Sequence, residues 1–267
     1  MTHQPRKRFG QNFLHDPGVI RRIVDSIHPR PGEHLVEIGP GQGALTRPLL
    51  EACSRLDVVE LDRDLIAPLQ QQLADVGELQ VHQADALRFD FCALRPENGP
   101  PLRVVGNLPY NISTPLLFHL MAQAACIEDM HFMLQKEVVQ RMVAAPGGKN
   151  YGRLTVMLAY YCESEMLFTV GSGAFYPAPK IDSAIVRLRP HRQPPVEVHN
   201  PSLLSQLVAQ AFSQRRKTLR NNLRGWLSAE AIAALDIDPG IRAECLTLAQ
   251  FARLSNALQH PAPTPEM

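Results

Sequence analysis

Between His34 and Arg187 short apolar runs alternate with amphipathic stretches, and this alternation restricts the possible folds more than any other feature of the chain. The runs are HLVEIG (34–39), LDVVELD (56–62), LQVHQAD (79–85), LRVVGN (102–107), DMHFMLQ (129–135), SEMLFTV (164–170) and SAIVRLR (183–189). Each has the length of one strand, and helices fill the gaps over 42–53, 64–75, 114–125 and 136–144. Strands separated by helices predict βαβ units, so the fold class is α/β with a doubly wound, Rossmann-like parallel sheet of seven strands. Pro68 predicts that the second of these helices begins late or breaks.

The strand pattern stops at PHRQPPVEVHNP (190–201), where prolines follow in quick succession. Beyond it LLSQLVAQAF (203–212), AEAIAALDI (229–237) and LAQFARLSNAL (248–258) read as helices, which predicts a small all-α C-terminal domain. The expected division is an arm and first helix over 1–33, the sheet domain over 34–190 and the helical domain over 191–267. The closing PAPTPEM is too proline-rich and short to pack.

Charge narrows the function classes. With 27 Lys and Arg against 26 Asp and Glu the formal net charge is +1, which excludes a uniformly basic coat and makes any basic surface local. The five cysteines (Cys53, Cys92, Cys126, Cys162, Cys245) stand far apart without a CxxC pair, so neither a disulfide framework nor a zinc site is expected, and reduced thiols in a cytoplasm are the plain reading. Arg6, Lys7 and Arg8 are followed by no apolar h-region, and no run of about 18 apolar residues occurs, so neither export nor a membrane span is expected.

The first apolar run leads directly into Glu37-Ile38-Gly39-Pro40-Gly41-Gln42-Gly43, a turn in which glycines let backbone N–H groups approach a ligand at a helix start. Glu60 closes the next strand about 20 residues on, where an acid can accept hydrogen bonds from both ribose hydroxyls of an adenosine cofactor. Asp85, at the end of the third strand, can accept from an exocyclic adenine amine or cap the residues after it. Together these residues describe an adenosine-shaped site, which NAD and S-adenosylmethionine would both satisfy; Gly39, Gly41 and Ala44 also match the loose G-x-G-x-x-A form of a nicotinamide-binding turn.

The fourth strand discriminates between them. Asn107-Leu108-Pro109-Tyr110 puts an amide and an aromatic ring on the same carboxyl edge. The lone pair of an adenine amine is delocalised into the ring, so an enzyme that methylates it needs acceptors for its N–H groups. The Oδ1 of Asn107 and the C=O of Leu108 can supply them, with Pro109 stiffening the turn and Tyr110 packing a planar base or facing a sulfonium cation. A second aromatic element, Phe175-Tyr176-Pro177-Ala178-Pro179-Lys180, reads as a stiff loop with an exposed ring for stacking a base; core packing is the plainer reading for Tyr176 more than for Phe175.

These segments, with RKRFGQNFL (6–14), EIGPGQGALT (37–46), HFMLQKEVVQR (131–141) and AFSQRRKTLRNNL (211–223), resemble the ribosomal RNA adenine N6-dimethyltransferase family, and within it the bacterial housekeeping branch that acts on 16S rRNA. The resemblance implies S-adenosylmethionine as cofactor, with Asn12 and Leu14 in an arm that closes over it, Gly39 along its methionine side, Glu60 at the ribose and Asp85 at the adenine. It implies Asn107 as the amide that orients the target amine, and Tyr110 and Phe175 as base-stacking partners. The implied substrate is a pair of adjacent adenosines in the 3′-terminal hairpin loop of 16S rRNA, each dimethylated within an immature 30S subunit, with a role in subunit biogenesis. A monomeric cytoplasmic enzyme is expected. The large-subunit resistance branch, acting on 23S rRNA, and a non-catalytic RNA-binding assembly factor are the alternatives.

The same resemblance gives the basic residues a task. Arg215, Arg216, Lys217, Arg220 and Arg224 lie in SQRRKTLRNNLR with no acid among them, and the i, i+4 spacing of 216, 220 and 224 predicts that they lie along one helical face. Such a face can neutralise RNA phosphates, or it is simply solvated. The segment APGGKNYGR (145–153) either contacts RNA or only connects.

Overall fold

The computed structural model describes residues 12–258. Arg6, Lys7 and Arg8 and the closing PAPTPEM lie outside the described residues. By contact the chain groups into two compact units, residues up to 139 with 164–190, and 140–163 with those from 191 onward. The stretch 140–163, assigned by sequence to one continuous domain over 34–190, therefore groups with the helical unit.

The first unit holds β1 (Phe13–Leu14), α1 (Pro17–Ile27), β2 (His34–Ile38), α2 (Thr46–Cys53), β3 (Arg55–Glu60), α3 (Arg63–Leu73), β4 (Glu78–Gln83), β5 (Leu102–Asn107), α4 (Ser113–Ala122) and β6 (Ile127–Gln135). The chain continues through α5 (Lys136–Met142) and α6 (Arg153–Tyr161) to β7 (Cys162–Val170), β8 (Phe175–Tyr176) and β9 (Ser183–Pro190). Seven strands make one sheet in the order β4-β3-β2-β5-β6-β9-β7. The pairs β4/β3, β3/β2, β2/β5 and β5/β6 are parallel, whereas β9 runs antiparallel to β6. All seven predicted runs are strands of this sheet, but its last additions are not a simple parallel continuation.

Burial explains the central strands. Leu35 and Val36 of β2, Leu56 and Val58 of β3 and Val104 and Val105 of β5 are completely buried, as continuous apolar runs covered on both faces must be. The strand order reverses between β2 and β5, so their carboxyl ends diverge and open a crevice at that switch point. Gly106 of β5 lies so close to β2 that a Cβ there would stand 2.6 Å from the Ile38 carbonyl oxygen, which excludes any larger residue.

Two local expectations are corrected here. Helix α3 continues through Pro68 without a break; Pro68 and Asp64, whose carbonyl loses its N–H partner, are both exposed, so water can satisfy that carbonyl. Cys92 and Cys126 form a disulfide, leaving Cys53, Cys162 and Cys245 free. Their separation of 34 residues gave no local pair to read, but β5 and α4 return the chain to the same place.

The second unit packs α6 with α7 (Pro201–Ala211), α8 (Leu219–Asn222), α9 (Ala229–Ala233) and α10 (Leu248–Ala257). Helix α7 packs on α10, and Leu204, Leu207 and Val208 of the one and Phe251 and Leu254 of the other are fully buried. The Asn200 side chain caps α7 at Leu203 N–H, with Pro201 at its first turn, as the predicted helix start requires. No helix among the described residues is long and apolar enough to cross a membrane.

Candidate active site

The carboxyl ends of β2, β3, β4 and β5 surround a cavity of about 360 Å3, within the ~300–1,000 Å3 range usual for small-molecule sites. Its lining includes Asn12, Leu14, Gly39, Gly41, Glu60, Asp85, Asn107, Leu108 and Tyr110. Residues from five separate sequence segments thus meet in one place. Phe175 is not among them.

The glycine turn works as its residue types require. Gly39 has φ +68° and Gly41 φ +58°, the left-handed region that glycine enters without strain. Gly39 N–H donates to the Val59 carbonyl at 2.9 Å, tying the turn to β3. A Cβ on Gly41 would come within 3.2 Å of the Phe13 ring, so glycine also lets the N-terminal segment lie over the turn.

Glu60 ends β3 almost fully buried. Its Oε1 accepts from Asp62 N–H at 2.7 Å and its Oε2 from Gly41 N–H at 3.3 Å. Burial raises its pKa above the ordinary carboxylate value, and these backbone donors pull it back. They leave each oxygen a further lone pair for a ligand hydroxyl. Asp85 Oδ1 accepts from Leu87 N–H at 3.0 Å, so the cap foreseen as an alternative is made, and Oδ2 takes no part in it.

Asn107 ends β5, in register with Met133 of β6. Its Nδ2 donates to the Asn12 carbonyl at 3.1 Å. A carbonyl only accepts, so this bond fixes the amide with its NH2 toward Asn12 and leaves Oδ1 as a free acceptor, without a partner among the described residues. The next residue, Leu108, is buried and held by its N–H to the Met133 carbonyl at 3.2 Å. Tyr110 shares a 2.8 Å hydrogen bond with Ser183 Oγ, and burial pushes its phenol pKa up, so it stays neutral.

Glu37, whose site role the sequence reading missed, lines the same cavity. It is 2% exposed, and its Oε2 has no hydrogen-bond partner among the described residues. Burial pushes its pKa up to about 8; the Thr46 side chain opposes this and the Glu60 charge adds to it. The available signal was an acid set within an otherwise apolar strand immediately before the glycines. Such a carboxyl suits a cationic group that would restore its charge.

The aromatic loop is arranged opposite to expectation. Phe175 is 3% exposed and packs in the core with Leu14, Val170 and Ala174, whereas Tyr176 is 69% exposed. Successive residues of a strand face opposite sides, and β8 pairs antiparallel with β1, which turns Phe175 inward with Leu14.

The basic segment is also corrected. It is not one helix: α7 ends at Ala211, a turn follows, α8 holds only Leu219–Asn222 and Arg224 lies in the next turn. The buried Asn222 amide explains the break, because its Nδ2 donates to the carbonyls of Ala211 at 2.7 Å and Gln214 at 3.1 Å where α7 stops. Residues 216, 220 and 224 therefore share no helical face, although all three remain exposed, as does Lys217. Arg215 has local partners: Glu244 at 2.9 Å and the carbonyls of Lys149 and Tyr151. Within 145–153, Gly147 N–H donates to the Glu244 carbonyl and the buried Tyr151 hydroxyl to the Leu246 carbonyl, each at 2.7 Å, so this segment is built into its unit.

A family model described as ribosomal RNA adenine dimethylase matches residues 2–260. A ribosomal RNA small subunit methyltransferase A from Pseudomonas aeruginosa is 59% identical over 96% of this chain and 95% of that protein. The protein of the same name from Chromohalobacter salexigens is 56% identical over 98% of this chain and 94% of its own. Among solved structures, a dimethyladenosine transferase from Plasmodium falciparum superposes with TM-score 0.78 at 25% identity, covering 92% of this chain and 98% of that one. The 23S rRNA methyltransferase ErmE superposes with TM-score 0.71 at 28% identity, covering 93% and 100%.

Proposed function

The chain belongs to the ribosomal RNA adenine dimethylase family, and from that membership we propose that it transfers methyl groups from S-adenosylmethionine to N6 of two adjacent adenosines in the 3′-terminal hairpin loop of 16S rRNA. Each adenosine receives two methyls, within an immature 30S subunit, and the enzyme acts as a cytoplasmic monomer with a part in subunit biogenesis. The observation that carries the reading is the oriented Asn107 amide, whose free Oδ1 opens on the cavity beside the residues that suit an adenosine cofactor.

The residues present fit S-adenosylmethionine. The unpartnered Oε2 of Glu37 suits its ammonium group, Gly39 the methionine backbone, Glu60 the ribose hydroxyls and Asp85 the adenine amine, while Asn12 and Leu14 cover the site. When bound, the cofactor supplies an electrophilic methyl on a sulfonium. Asn107 Oδ1 and the Leu108 carbonyl accept the two N–H groups of the target amine, so its lone pair points along the transfer axis. Tyr110 packs the planar base. No strong general base is needed, because the amine becomes strongly acidic as it gains the methyl and would lose its proton to water, while alignment of the bound pair contributes up to ~7–11 kcal/mol. The exposed Arg216, Lys217, Arg220 and Arg224 neutralise phosphates, and Arg215 adds what its partners leave free.

Identity favours the small-subunit substrate: relatives named for that subunit are 56–59% identical, against 28% for the 23S enzyme. A non-catalytic assembly factor would have no use for the oriented amide, and an NAD oxidoreductase no use for Asn107 and Leu108 as paired acceptors.

The test is mass spectrometry of adenosines in small-subunit RNA from cells lacking the protein, before and after it is added back with S-adenosylmethionine. Wild-type protein restores dimethyladenosine at two adjacent positions. Asn107→Ala abolishes transfer while RNA binding persists; near-normal dimethylation by this variant overturns the role given to the amide, and failure of the wild type overturns the substrate.

A further inference from the structure

With Phe175 in the core, the exposed ring of the 175–180 loop is Tyr176, and the loop that carries it is fixed at both ends to the wall of the Asn107 cavity. At the first end β8 pairs with β1, placing Tyr176 directly opposite Phe13, which lines the cavity. Directly opposed residues of an antiparallel pair project from the same face of the ribbon. At the second end Ser183 holds the hydroxyl of Tyr110, another cavity residue, at 2.8 Å. The segment 176–182 is therefore anchored at both ends to residues that line the cavity.

Its composition suits a nucleic acid. Tyr176 and Ile181 are large and exposed, at 69% and 45%, and Tyr176 makes no ring contact or hydrogen bond among the described residues. Lys180 is exposed and has no ion pair among them. Pro177 and Pro179 restrict the backbone between, so less freedom is lost when a partner binds. Any base has a face that stacks on an aromatic ring, and a lysine beside it meets the phosphate that follows.

We propose that Tyr176 is a stacking platform for an RNA base next to the adenine that enters the cavity, with Lys180 meeting the adjoining phosphate. This rests on the rRNA adenine reading above and assigns a positioning residue outside the reacting centre. The neighbour is thereby held out of the stack while its partner lies against Asn107.

Steady-state methylation by the full chain on immature small subunits tests it. Tyr176→Ala raises KM for the subunit about 5- to 150-fold, the span that ~1–3 kcal/mol of base–aromatic stacking represents. The kcat, the affinity for S-adenosylmethionine and the unfolding temperature stay at wild-type values, and Tyr176→Phe and Tyr176→Trp restore KM. A KM for Tyr176→Ala within twofold of wild type overturns the proposal. So does a KM rise accompanied by an equal loss of cofactor affinity or by no rescue with Phe, since the residue would then only support the ribbon. Failure of the rRNA reading has a different signature, with wild-type protein leaving the subunit unmethylated.

Discussion

The two units handle charge in opposite ways. The sheet unit carries 19 acidic against 16 basic residues, and several acids are buried: Glu37, Asp57, Glu60 and Asp62. The helical unit carries 11 basic against 7 acidic residues, and its cluster at 215–224 is exposed. Buried charge is costly unless met by fixed partners, and three of these acids have them: Asp57 lies between His34 and His82 at 2.9 and 2.6 Å, and Glu60 and Asp62 accept backbone N–H groups. Exposed charge costs little and needs no partner in the fold. The overall charge of +1 thus balances an acid-rich sheet unit, part of whose charge is buried, against a helical unit whose excess of base includes an exposed cluster.

The largest expected effect breaks the surface half of this contrast. Reversing Arg216 and Arg220 to Glu weakens binding to immature small subunits by on the order of tenfold or more at physiological salt, and it reduces the salt slope by about 2 because two phosphate contacts are lost. Affinity for S-adenosylmethionine and thermal stability remain unchanged, since both side chains are exposed and neither guanidinium makes a hydrogen bond or ion pair among the described residues. Titrations at several salt concentrations decide the matter, and an unchanged slope would reduce the cluster to solvated surface.

The interior half is sharpened by pH. The Glu37 pKa rises from an ordinary 4.5 to about 8, so between those values the folded protein holds a proton that the unfolded chain has released, and stability falls as pH rises. His131 acts in the opposite sense. Its imidazole is buried, with neither nitrogen hydrogen-bonded among the described residues, and burial lowers its pKa from 6.5 to about 4, so stability rises with pH across that window. The two oppose each other below 6.5, and from there to 8 Glu37 removes about 2 kcal/mol with nothing from His131 to offset it. Thermal unfolding of ligand-free protein shows a decline from pH 6.5 to 8 that Glu37→Gln abolishes. A decline that survives the substitution would place the titration elsewhere.

These cases also mark what the sequence could disclose. Strand positions were legible because full burial demands continuous apolar runs such as Leu35–Val36 and Val104–Val105. The cavity residues were legible because a glycine turn and strand-end polar groups recur at intervals set by the βαβ unit. What was illegible depends on long-range pairing. Which of Phe175 and Tyr176 faces the core is set by β1, more than 150 residues away, and no local pattern around the loop records it. The basic segment misled for a related reason: its spacing suits a helix, but Asn222 takes the carbonyls that would have continued α7.

Arg215 supplies the smallest effect and the finest test, because it stands within the basic cluster yet behaves like the interior acids. Its guanidinium links Glu244 to the carbonyls of Lys149 and Tyr151, while Arg216 beside it has no such partners among the described residues. The side chain remains 52% exposed, so solvent screens the ion pair and its worth is at most ~1 kcal/mol. Arg215→Ala therefore lowers the unfolding temperature by a few degrees and weakens RNA binding only slightly, whereas Arg216→Ala weakens RNA binding and leaves the unfolding temperature unchanged. Measured side by side, opposite responses from adjacent arginines separate a charge that serves the fold from one that serves the ligand. Equal losses of RNA affinity without loss of stability would mean that the Glu244 contact gives way when RNA binds, and that the whole cluster belongs to the surface.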